Sequence, residues 1–131
     1  MRTSEEIEAA ICDGMSRFEA EQMGRLPKSV RAHLAGDMLV VRLAGVLTAA
    51  EQHLVNVHRG DKGRDLLKGV RIQLIEAARP IVELMVEEIV GVKVLSLHHD
   101  ISTVTGEEVV LFTLVEAPDL RRTKQARGAV A

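Results

Sequence analysis

Tryptophan and tyrosine are absent from this 131-residue chain, and aromatic side chains amount to 2% of it. An aliphatic and methionine-based core is therefore expected, and base stacking on aromatic platforms is disfavoured as a mode of recognition. A single cysteine, Cys12, leaves no internal disulfide to form and fits a reducing cytoplasm. Its neighbours Ile11 and Asp13 offer nothing that would depress its pKa, so an inert, half-buried thiol is expected. No apolar run approaches the ~20 residues needed to cross a bilayer. The N-terminus turns acidic at Glu5 and Glu6 without an apolar stretch, so neither a signal peptide nor direct membrane insertion is expected. The formal net charge of −2 supplies no basic field for a phosphate backbone, so nucleic acid is not the expected partner.

What is present is a 47% hydrophobic sequence of a length that suits one domain. Thr3 and Glu6 have the spacing of a capping box, and Ile7, Ile11, Met15, Phe18 and Gln22 continue one helical face. That spacing predicts a helix over about residues 4 to 23, stopped by Gly24. Ser29–Ala35 and Met38–Val46 alternate with period two around Gly36-Asp37, a hairpin signal. The turn pairs Leu34 with Leu39, Ala32 with Val41 and Val30 with Leu43 on one apolar face. The other face then holds Arg31 opposite Arg42, with His33 beside Val40. Thr48 and Glu51 form a second capping box that opens a short helix to about His58. Arg59 to Arg64 form a polar connector.

Arg64–Val90 reads as one long helix that covers the sheet. Its predicted apolar stripe is Leu67, Val70, Leu74, Ala77, Ile81, Leu84, Met85 and Ile89, with Gly91 as C-cap. Pro80 should bend it. At roughly 40 Å, from 1.5 Å per residue, the helix exceeds one small sheet, and a homodimer is expected. A second hairpin, Val92–Ser102 with Glu107–Glu116, turns at Thr105-Gly106, pairing Ile101 with Val110, His99 with Phe112 and Leu97 with Leu114. Val94, Ser96, His98, Asp100, Val109, Leu111 and Thr113 take its other face. The fold class is thus α+β: one antiparallel sheet of two β-hairpins packed with a long helix, in the order α-ββ-αα-ββ. Residues 1–116 form the domain and residues 117–131 a basic flexible tail.

Candidate chemistry is sparse. His98-His99-Asp100 cannot converge, because neighbouring side chains in a strand point to opposite faces. Two ligands do not make a zinc site. No nucleophile elbow, P-loop or Rossmann pattern is present, so neither catalytic residues nor a cofactor is assigned. Glu87 and Glu88 read as solubilising charge. Gly60-Asp61-Lys62-Gly63 has the GxxG form of KH nucleic-acid domains, with Gly60, Lys62 and Gly63 as RNA contacts. The acidic Asp61 and the net charge weigh against that alternative. Arg31, His33 and Arg42 form the more informative cluster. Opposed cations repel, by up to ~1 kcal/mol relative to a neutral pair. Water, an internal carboxylate such as Glu51 or Asp100, an inorganic anion or an acidic partner could compensate.

Several segments together resemble the MpsC-like family of small bacterial proteins. They are Gly24 to Arg31, Gly36 to Thr48, Leu74 to Pro80, Gly91 to Val94, Asp100 to Thr103, Thr105 to Glu107 and Val110 to Leu114. The resemblance spans about residues 4 to 115. It implies association with a Na+-translocating, membrane-potential-generating system linked to inorganic carbon uptake, and carries over no catalytic residue. The resulting expectation is a soluble, non-enzymatic accessory or regulatory protein, cytoplasmic, with a membrane transporter subunit as partner. A small anion-binding sensor is a further alternative.

Overall fold

The computed structural model describes residues 2–57 and 61–121. The Thr3 hydroxyl and the Glu6 carboxylate cap helix α1 (Ser4–Phe18) reciprocally, at 3.1 and 3.0 Å. The chain then widens into a single π turn, Glu19–Met23, before Gly24 ends it with φ 72°. The π turn inserts extra length per turn, so the buried face passes from Phe18 to Glu19 and Met23. Gln22, expected on that face, is exposed.

Strands β1 (Ser29–Ala35) and β2 (Met38–Ala44) pair in the predicted register, including Arg31 opposite Arg42. Helix α2 (Ala49–Val57) starts at its Thr48–Glu51 capping box. Helix α3 (Lys62–Val90) runs through Pro80 to Gly91, whose φ of 80° closes it. Lys62 and Gly63 therefore lie in the first turn of a helix and not in an open GxxG loop. Gly60, like His58 and residues 122–131 of the expected tail, falls outside the described residues. Of the tail's first residues, Arg121 donates to the Glu6 carboxylate at 3.0 Å.

Strands β3 (Val94–Ile101) and β4 (Glu108–Leu114) complete one four-stranded antiparallel sheet in the order β1-β2-β4-β3. The second hairpin is shifted by two residues from the expected register: Ile101 opposes Glu108, His99 opposes Val110 and Leu97 opposes Phe112. The reason is the turn. Ser102 N donates to Glu107 O and Gly106 N to Ser102 O, both at 2.8 Å, so Thr103–Gly106 all belong to the loop. A shift of two preserves the faces. A bulge between Val94 and Ser96 does not: it leaves Leu95 exposed and brings Val94 against the core, not onto the open face.

Helices α1 and α3 share the work of covering the sheet. α1 packs on β1, α3 touches β3, and the two helices pack on each other. The core between them includes Ile11, Met15, Leu39, Val41, Val86 and Phe112. Leu67 is buried as predicted and Met85 and Ile89 pack partly against the core, but otherwise α3 buries a different stripe: Arg71, Ile75, Ala78, Val82, Val86 and Val90. Val70, Ile81 and Leu84 remain 53%, 49% and 56% exposed. Two apolar stripes run along this helix, and the sheet takes the one that contains an arginine.

Candidate functional site

The alternation of β1 and β2 puts Arg31, His33 and Arg42 on the sheet face that, among the described residues, no helix covers. The turn before β4 adds Glu107 beside them. Arg42 Nε and Nη2 both donate to Glu107 Oε2, at 3.1 and 2.8 Å. Ser29, Arg31, Arg42, Ala44 and Glu107 line a cleft of about 150 Å3. The carboxylate that pairs with Arg42 is thus Glu107, from the turn. Of the candidates named from sequence, Glu51 serves Arg25 and Asp100 serves Lys68 instead. Arg31 has no ion-pair partner among the described residues. His33, Arg31 and Arg42 are exposed, while the neighbouring Val40 and Leu111 are paired across β2 and β4 and only half-buried. The open face therefore presents an apolar centre bordered by Arg31 and His33 of β1 and, at one end, by the Arg42–Glu107 pair.

His98 and Asp100 share this face on β3, and His99 turns to the other side, as the strand period requires. His98 Nε2 lies 3.1 Å from Ser96 Oγ, and Ser96 Oγ also contacts Thr113 Oγ1. Asp100 accepts from Lys68 Nζ at 2.9 Å, which holds its carboxyl below the usual range. Among the described residues no group of three or more His, Cys, Asp or Glu side chains converges as metal ligands would. Cys12 is half-buried and donates to Val30 O at 3.4 Å. Burial pushes its pKa up, the opposite of an activated thiol. Glu87, expected to be surface charge, accepts from Val94 N at 2.9 Å and so ties the end of α3 to the start of β3.

A second polar cluster was not anticipated. Beneath the sheet, Arg71 of α3 donates from Nε to Glu108 Oε2 of β4 at 3.2 Å and from Nη2 to Glu108 Oε1. Glu19 of the π turn approaches the same guanidinium at 3.5 Å. All three side chains are at most 1% exposed. Burial, with the Glu108 carboxylate close by, pushes Glu19 up to about 7, against the pull of Arg71 and Arg25. Burial opposes the charge on Arg71, yet its two carboxylate partners outweigh that and hold its pKa above the ordinary value. Arg25 continues the cluster outward, donating to both oxygens of Glu51 and to Val46 O. This network joins the π turn, α2, α3 and β4. The available sequence signal is narrow: Arg71 occupies the i+4 position between Leu67 and Ile75, and Glu108 is in phase with Val110, Phe112 and Leu114.

Comparison with known proteins places this geometry in context. Residues 3–116 match the family model described as "Na+-translocating membrane potential-generating system (MpsC)". The chain is similar to "Uncharacterized protein YbcI" of Bacillus subtilis (strain 168), with 33% identity over 108 residues, 82% of this chain and 85% of that protein. No solved structure matches. Among the described residues, no helix is long and apolar enough to cross a membrane.

Proposed function

The chain belongs to the MpsC family, and from that premise we propose a non-enzymatic accessory protein that works as a homodimer beside a Na+-translocating membrane system. One observation carries the proposal: among the described residues the sheet face opposite the helices is exposed and has an apolar centre bordered by Arg31, His33 and Arg42. A half-buried apolar centre with a charged border is the anatomy of a protein-docking surface. The cations select an acidic partner, here a subunit of the membrane system reached from the cytoplasmic side. The lone thiol of Cys12 supports that compartment. A small-anion sensor is less well served, because Glu107 already brings a carboxylate into the cleft beside Arg42.

Affinity capture from the native host tests the proposal. The wild-type protein should retain an integral-membrane subunit of such a system, and Arg31→Ala/Arg42→Ala should lose at least ~10-fold of it while its circular dichroism stays that of the wild type. Equal capture by the double variant would remove the sheet face as the site, and no membrane subunit in the wild-type sample would sink the reading. Arg42→Ala alone should cost below about 1 kcal/mol of stability, because its pair with Glu107 is solvent-exposed on both sides.

A further inference from the structure

We infer that two copies of this chain pair through the outward stripe of α3, antiparallel, about a two-fold axis that passes between Leu74 and Ala77. The inference rests on the homodimer reading above and specifies its surface and direction. The stripe is Leu66, Val70, Leu74, Ala77, Ile81 and Leu84, at steps of four and three along a helix of 29 residues. Every one of these six side chains is exposed, whereas the adjoining stripe of the same helix is buried. A helix with one stripe in the core and a second in water has an unpartnered apolar surface.

The charge pattern identifies the occupant and its direction. Before Leu74, and apart from the buried Arg71, α3 carries Lys62, Arg64 and Lys68 against Asp65. After it come Glu76, Glu83, Glu87 and Glu88 against Arg79. A parallel pair of α3 helices would set cations on cations and carboxylates on carboxylates. An antiparallel pair sets each basic half on the partner's acidic half and opposes the helix dipoles favourably. A second copy in this orientation is therefore complementary to the first along the whole stripe.

Shape points the same way. The C-terminal end of the stripe opens into a groove of about 310 Å3 between α1 and α3, floored by Phe18, Ile81, Met85 and Ile89. Gly14 lines its wall, and a Cβ there would come within 2.6 Å of Met85 Sδ. The N-terminal end of the stripe presents the exposed side chains of Leu66 and Val70. Leu66 precedes Leu74 by as many positions as Met85 follows Ala77. The two-fold thus carries the partner's projecting end onto the first copy's groove, and the reverse, as an isologous interface requires.

Disulfide trapping in a Cys12→Ser background tests this, with light scattering on the unmodified protein at tens of micromolar. Ala77→Cys lies near the axis and should cross-link to itself under mild oxidation. Leu66→Cys should not, since two copies would sit ~28 Å apart, from 1.5 Å per residue on either side of the axis, against the ~7 Å that a disulfide spans. Mixed with Met85→Cys, it should form the hetero-linked pair. Ile81→Asp should weaken the dimer at least ~10-fold while its circular dichroism stays that of the wild type. Self-linking of Leu66→Cys would overturn the antiparallel arrangement. A dimer in which Ala77→Cys fails to link would overturn the α3 surface and leave the homodimer standing. A monomer in light scattering would overturn both.

Discussion

Arg71→Ala should be the most damaging single substitution in the protein, costing about 3–5 kcal/mol, and in a domain of ordinary stability that leaves a large unfolded fraction. The lost pair is only part of the cost. Without the guanidinium, Glu19 and Glu108 would face each other in the core, each at most 1% exposed, with only the more distant Arg25 as a cation near Glu19. Urea melts should show the fall, and a variant within 1 kcal/mol of the wild type would contradict it. A triple variant, Arg71→Met with Glu19→Leu and Glu108→Leu, separates the two contributions. Removing all three charges should restore much of the stability that Arg71→Ala loses, because a buried ion pair roughly breaks even against well-packed apolar side chains of similar volume.

Stability should also fall as pH rises from about 4.5 to about 7. The folded state holds the Glu19 proton more tightly than the unfolded chain does, with a pKa pushed up to about 7 from an ordinary 4.5. Between those values the native state binds more protons than the unfolded state, so deprotonation favours unfolding and the slope is negative. Integrated over that window the effect is about 3 kcal/mol. Glu51 has the opposite sign. Burial opposes its charge, but hydrogen bonds from Arg25 and Thr48 hold its pKa below the usual value, so its contribution is lost as pH falls below about 4.5. Maximum stability should therefore lie near pH 5. Chemical denaturation at pH 5 and pH 8 measures the difference, and Glu19→Gln, which cannot ionise, should flatten it. A wild-type profile that is flat, or rises, across this interval would rule out the buried proton.

The legible and illegible parts of the chain divide along physical lines. The first hairpin could be read residue by residue, because a two-residue Gly36-Asp37 turn fixes the register and its strands alternate cleanly. The second could not, because the Thr103–Gly106 loop holds four residues, and turn chemistry alone does not say how many of them remain unpaired. On α3 the period of 3.6 was legible but its phase was not. Two apolar stripes compete there, and hydropathy selects the one without a charge, whereas the fold buries the one with Arg71. That choice becomes visible only when Glu108 and Glu19, far away in sequence, are seen to supply its partners. The Arg31–Arg42 opposition could be read from the strands. Its counter-charge, Glu107, could not, since it comes from the turn before β4 and depends on β4 lying next to β2.

The strand order β1-β2-β4-β3 has a kinetic consequence. Each hairpin closes over a few residues, an event on the microsecond scale. The sheet becomes single only along the β2–β4 seam, where Arg42 meets Glu107 across 65 positions of chain. Closing a loop of that length is entropically costly before any contact repays it, so the seam should be the last part of the sheet to form. Weakening it, for example with Leu43→Ala, should then accelerate unfolding and leave the folding limb of a stopped-flow chevron almost unmoved. A slowed folding limb would instead place the seam in the nucleus, with the hairpins assembling onto it.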